Sequence, residues 1–303
     1  MSRTMITRRR FIQGAAALAG AALIPPGIAE TIAGLAKKSA NDLVELGRTG
    51  LRLSRLGFGA GSHSGSVQRS LGHEGFNRLV RHAYDQGITY IDTADGYKTH
   101  SWIREAIQGL PREKFFILTK MGGIPEDPAA EIDRFRRELG TDYIDCLLAH
   151  CKIHTDWDES HKKLLDAFSE AKQKGIILSH GVSCHSLPAL EKAARLDWVD
   201  VNLVRVNPQG VRVDAPGEDW NDDSGPEHVP AVLEQLKIMR EHGHGIIGMK
   251  LIGDGEFTSP EDREKSIRFA MQPGRLDSAV IGFKSIQEID EAVSRINAAL
   301  ADV

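Results

Sequence analysis

The sequence predicts a closed parallel (β/α)8 TIM barrel entered through an N-terminal β-hairpin. Short apolar runs recur from Leu56 to Gly282, and the stretches between them carry apolar residues at helical spacing. Eight such β/α units in roughly 250 residues match the size and order of a closed barrel. No G-x-G-x-x-G fingerprint follows the first run, which counts against the rival doubly wound open sheet.

The chain opens with residues 1–29, which read as an export signal. Arg3, Arg8, Arg9 and Arg10 form a basic start, Gly14 to Ile24 is modestly apolar, and Gly27-Ile28-Ala29 resembles a cleavage site. That apolar core is short of the roughly 20 residues a bilayer span needs. Thr7 to Ile12, "TRRRFI", is similar to the twin-arginine signal of proteins exported already folded, so the twin-arginine machinery is an expected partner and the periplasm the expected location. Residues 30–42 read as a linker, and residues 43–303 as the barrel.

The first barrel element is a hairpin turning at Thr49-Gly50, followed by a strand at Leu56–Gly59. Strands are then expected at Tyr90–Thr93, Phe115–Lys120, Ile144–His150, Ile177–Ser183, Val199–Val206, Ile246–Lys250 and Ala279–Gly282. Helical spacing fills Phe76–Tyr84, a short Trp102–Ile107, Ala129–Leu139, His161–Lys174, Leu187–Leu196, Val229–His242, Glu261–Met271 and Ile286–Leu300. Pro208 to His228 is a long insert rich in Gly, Pro and acid after the sixth strand. Its length predicts a binding loop or lid, with Trp220 as a docking residue.

Composition excludes some functions. The formal net charge is −4, and without the basic N-terminus the body is more acidic still, which leaves no broad basic surface for a nucleic acid. The 3 cysteines, Cys146, Cys151 and Cys184, make no disulfide framework.

A barrel gathers the C-terminal ends of its strands at one mouth. Those ends bring Asp92, nearby Tyr97, Lys120 and His150 together. A buried strand has no packing reason to finish on a carboxylate, so Asp92 requires a cation, and Lys120 supplies it. A tyrosine normally ionises at about pH 10, and a neighbouring ammonium is expected to favour its phenolate. His150 can hydrogen-bond a reacting oxygen.

"LGRTGLRLSRLGFGAG", "YIDTADGY", "ILTKMG", "TDYIDCLLAH" and "HGVS" are similar, in order, to motifs of the aldo-keto reductases, and the resemblance runs from Leu46 to the C-terminus. It implies carbonyl reduction by hydride from NADP(H) or NAD(H), or the reverse oxidation of an alcohol. Tyr97 is then the proton donor, and Asp92, Lys120 and His150 complete the tetrad. The cofactor would be gripped by Ser183 and Cys184, where the family commonly has Ser-Asn, and by Lys250, Lys284 and Ser285. Leu203 stands where the family has glutamine, and Gly248 or Met249 where it has a stacking tyrosine. Glu288, Asp290 and Ala292 follow Lys284, which leaves NADP versus NAD open.

Two further readings stand beside this one. A barrel that binds a nucleotide or other ligand without turnover would suit the altered grip. Cys151, His154, Cys184 and His185 follow adjacent strands and could form a metal site.

Overall fold

The computed structural model describes residues 38–219 and 224–303. The expected export signal therefore lies outside the described residues, as does Trp220. The described chain begins with β1 (Leu43–Glu45) and β2 (Arg52–Ser54), an antiparallel pair pairing Leu43 with Ser54. Just before it, Ala40 is fully buried and its N–H donates to Asn297 Oδ1.

Eight parallel strands follow: β3 (Leu56–Gly59), β4 (Tyr90–Asp92), β5 (Phe116–Met121), β6 (Ile144–Lys152), β7 (Ile177–Cys184), β8 (Val201–Arg205), β9 (Gly245–Met249) and β10 (Ser278–Gly282). They hydrogen-bond in chain order, and β10 closes the barrel against β3. This is the predicted (β/α)8 barrel.

Around it lie α1 (Ser66–Arg69), α2 (Gly72–Asp85), α3 (His100–Ala106), α4 (Pro128–Leu139), α5 (Trp157–Ser160), α6 (Lys162–Gln173), α7 (Leu187–Arg195), α8 (Val229–Glu241), α9 (Pro260–Ala270) and α10 (Ile286–Ala301). Their spacing explains their placement. In α2, Phe76, Leu79, Val80 and Ala83 recur every three or four residues and are buried, which covers one face against the strands. Asp127, Ser186, Ser259 and Ser285 cap α4, α7, α9 and α10 through side-chain oxygens, each such cap being worth about 1 kcal/mol.

Side chains alternate along each strand, so the core has two layers. Tyr90, Phe116, Leu118, Cys146, Leu148, Val201, Leu203, Ile247 and Val280 fill the barrel interior with Leu46 and Leu53 from the hairpin. The hairpin thus plugs the bottom, where Arg48 N–H donates to Gly243 O. Between strands and helices sits the larger layer, including Phe58, Ile117, Val182, Cys184 and Val204. Gly181 marks a close approach of β7 and β8, because a Cβ there would lie 1.8 Å from Val201 O.

Candidate active site

The interior alternation continues upward to the mouth. Two residues beyond Tyr90, Leu118, Leu148 and Leu203 stand Asp92, Lys120, His150 and Arg205, each one step past the apolar filling. Lys120 Nζ donates to Asp92 Oδ1 at 2.6 Å and to Thr93 O at 2.8 Å, and both side chains are nearly inaccessible. Tyr90 Oη donates to Asp92 Oδ2 at 3.3 Å, which occupies the second carboxylate oxygen. Burial raises the Asp92 carboxyl above its ordinary range, against the pull of Lys120.

Tyr97 ends a single turn of 3-10 helix, Asp95–Tyr97, directly after β4. Its hydroxyl lies 3.4 Å from His150 Nε2, and its ring centroid is 5.0 Å from Lys120 Nζ. Gly61 makes room for that ring, because a Cβ there would stand 2.3 Å from Tyr97 Cε2. Arg69 holds the Tyr97 carbonyl from α1. The four residues predicted from strand ends are therefore in one place.

Their electrostatics differ from expectation. Burial, followed by the Asp92 charge, pushes the Tyr97 hydroxyl well above its ordinary range, so it stays protonated. Phenolate was expected because Lys120 is close, but that ammonium is paired with Asp92, and loss of water outweighs it. Burial beside Lys120 and Lys152 pulls His150 down to about 3, so its imidazole is neutral. A protonated phenol facing a neutral imidazole is an arrangement that can donate a proton to a bound oxygen.

Beside the tetrad opens a cavity of about 370 Å³ over β3, β9 and β10, with Gly59, Gly61 and Gly282 in its lining and Lys250 and Lys284 along it. Lys250 Nζ pairs with Asp254 at 2.8 Å. Ser285 caps α10 by accepting from Glu288 N–H, while Glu288 Oε2 accepts from Lys284 N–H at 2.9 Å. Ser285 is thus engaged within its own helix start. On β7, Ser183 is fully buried, and its hydroxyl has no partner among the described residues. Cys184, expected to grip the cofactor, is instead 1% exposed within the outer core beside Val182 and cannot reach this cavity. A glycine-lined cavity with two lysines along it fits a dinucleotide with its diphosphate, while the Ser183 hydroxyl lies level with Leu203, one layer below the mouth.

The proposed metal set does not converge. Among the described residues no three His, Cys, Asp or Glu side chains are grouped for a metal ion. His154 turns to Glu218 at 3.2 Å, and Cys184 lies in the core. Cys151 Sγ is 3.8 Å from His185 Nε2, and all three cysteines are free. The positive φ of Cys151, 60°, accompanies a register shift in β6 and turns this pair to the mouth.

Arg205 also stands at this level, although no sequence motif marks it. Its Nε and Nη2 both donate to Asp214 Oδ1, at 2.8 and 2.5 Å, and Asp214 belongs to the insert. The signal was present in the alternation, since Arg205 lies two residues past the interior Leu203.

The family-wide sequence profile described as "Aldo/keto reductase family" matches residues 55–301. The chain belongs to that family of NAD(P)-dependent oxidoreductases. It is 25% identical over 297 residues to L-galactose dehydrogenase of Arabidopsis thaliana, covering 84% of this chain and 88% of that one. It is 27% identical to the "Probable aldo-keto reductase 1" of Glycine max, covering 71% of this chain and spanning only 60% of that relative. Solved barrels of the same fold include the holo form of an aldo-keto reductase from Bacillus halodurans, with a TM-score of 0.66 at 19% identity over 86% of this chain and 95% of that one. Another is an aldo-keto reductase from Klebsiella pneumoniae in complex with NADPH, with a TM-score of 0.61 at 20% identity over 89% of this chain and 91% of that one.

Proposed function

We propose that this protein reduces a small aldehyde or ketone, or oxidises the corresponding alcohol, with Tyr97 as the general acid. The observation that carries the proposal is the Tyr97 hydroxyl, 3.4 Å from His150 Nε2 and beside the Lys120–Asp92 pair, in surroundings whose burial favours a protonated phenol and a neutral imidazole. When bound, a reduced nicotinamide dinucleotide supplies the hydride. Lys250 and Lys284, which line the cavity, are the residues that would hold it, Ser183 lies one layer below with a hydroxyl unpartnered among the described residues, and Cys184 and Ser285 serve packing and capping.

The chain's own part is proton delivery and orientation. Tyr97 gives its proton to the carbonyl oxygen as negative charge develops there, and His150 hydrogen-bonds the same oxygen and fixes its position. Lys120 then stabilises the tyrosinate, and Asp92 keeps that ammonium aimed. Burial makes each of these charges count for more than it would in water. The test is oxidation of NADH and of NADPH by purified protein against a panel of aldehydes and ketones. Nucleotide binding with no turnover on any of them would favour the binding-barrel reading.

We further propose export by the twin-arginine route, on the strength of Thr7 to Ile12 and the short apolar core after it. Changing Arg8 and Arg9 together to lysine should leave folded protein in the cytoplasm. An unchanged periplasmic yield would contradict export by this route.

A further inference from the structure

We propose that Arg205 is the docking group for a carboxylate on the substrate, so that the compound reduced is an oxo acid or an aldehyde acid. This rests on the carbonyl-reducing reading above and names its substrate class.

Placement comes first. Arg205 ends β8, four strands round the barrel from β4 and so opposite Asp92 across the mouth. It is 8% exposed, at the level of the tetrad and outside the lining of the dinucleotide cavity. A carboxylate at Arg205 would place the remainder of its molecule across the mouth toward Tyr97 and His150.

Next comes the state of the guanidinium. Both of its engaged donors converge on a single oxygen, Asp214 Oδ1. Asp214 Oδ2 is buried with no partner among the described residues. A guanidinium fork matches both oxygens of a carboxylate, so this pair uses half of what each group offers. Burial has pushed the Asp214 carboxyl up to about 6, against the pull of Arg205, as befits a poorly satisfied carboxylate. A buried ion pair that leaves an oxygen bare is a weak anchor for a loop, because desolvation offsets most of the attraction. It can act as a place-holder: an incoming carboxylate would use the whole fork, and Asp214, raised to about 6, would offset the loss of its partner by taking up a proton.

The surrounding charges point the same way. Among those acting on the Cys151 thiol the leading ones are Lys120, Lys152, Arg205 and Lys250, and on His185 they are Arg205, His150, Lys250 and Lys120. All but the neutral His150 are cationic. Lys120 and Lys250 each have a carboxylate of their own, whereas Lys152, 4% exposed, has none among the described residues. At Tyr97 the acting charges are Asp92, Cys151 and Asp254, with Lys120 Nζ 5.0 Å from its ring centroid. Arg205 is thus one of several cations acting at the Cys151 and His185 side of the mouth, where an anionic group on a substrate would be favoured.

The experiment compares succinic semialdehyde with butanal, which differ by the carboxylate, and measures binding of succinate against succinamide by calorimetry. Wild type should prefer the semialdehyde. In Arg205→Gln the ratio of the two kcat/KM values should fall about 10- to 100-fold, with Arg205→Lys intermediate. Asp214→Asn should tighten succinate roughly tenfold, since the internal competitor has lost its charge. A purely structural pair predicts no gain from Asp214→Asn, only a lower melting temperature. Turnover of both aldehydes with no acid preference, and succinate binding unchanged in Asp214→Asn, would overturn the proposal and leave carbonyl reduction standing. Arg205-dependent succinate binding with no carbonyl turned over would do the reverse.

Discussion

Asp92 and Lys120 are each too deeply buried to stand alone. Lys120 is 1% exposed and Asp92 5%, and the carboxylate's second oxygen is already taken by Tyr90. Lys120→Met should therefore cost about 3–5 kcal/mol in urea unfolding, because it strands a charge rather than removing one. Adding Asp92→Asn should recover part of that loss, since the stranded charge is gone. A single variant as stable as wild type would show that the pair is not a structural unit. The positions of Asp92, Lys120 and His150 were legible in the sequence because each ends an apolar run. The protonation of Tyr97 was not, because it depends on how much water the fold excludes, and no local pattern reports that.

At the scale of elements, α10 shows how a helix start can choose between ligands. Its first-turn N–H of Glu288 is satisfied by Ser285, and the Glu288 carboxylate reaches back to Lys284 N–H with the Lys284 ammonium 3.7 Å away. A 2′-phosphate brought to this helix start would meet a carboxylate already in the place an anion would take. NADH is expected to bind more tightly than NADPH, and Glu288→Gln should narrow the gap about tenfold by improving NADPH. Fluorescence titration measures both constants, and an unchanged ratio would remove Glu288 from the discrimination. Alternation along strands could have placed Cys184 correctly, since it shares a face with Val182. The four-residue helices α1 and α5 could not be read, being too short to show an apolar face. The Arg205–Asp214 contact could not be read either, because it joins a strand to an insert without any periodic spacing.

For the whole molecule, the barrel order was legible because eight apolar runs and eight amphipathic stretches alternate over the right length. The mouth's charge pattern emerged only when the strands closed. Burial has a collective consequence for acid stability. His150 is pulled down to about 3 and His180 and His244 to about 4, all chiefly by burial, from an ordinary 6.5. Unfolded imidazoles bind protons below 6.5 while these do not, so their contribution is complete above that pH and is lost toward pH 4 and below. Each costs about 1.4 kcal/mol per pH unit where only the unfolded form is protonated. Asp214, raised to about 6 by burial, acts in the opposite direction over the range below that value. Urea unfolding should therefore show stability falling steeply from about pH 6.5 to pH 4.5, and a flat profile there would contradict the burial of these rings. The central claim is that this mouth delivers a proton from Tyr97, and the most direct measurement is the pH profile of carbonyl reduction for wild type and Tyr97→Phe. The account predicts intact nucleotide binding with turnover lowered about 10²- to 10⁴-fold in the variant, and a wild-type rate with no loss of the acid form through neutral pH. Near-wild-type reduction by Tyr97→Phe would contradict it.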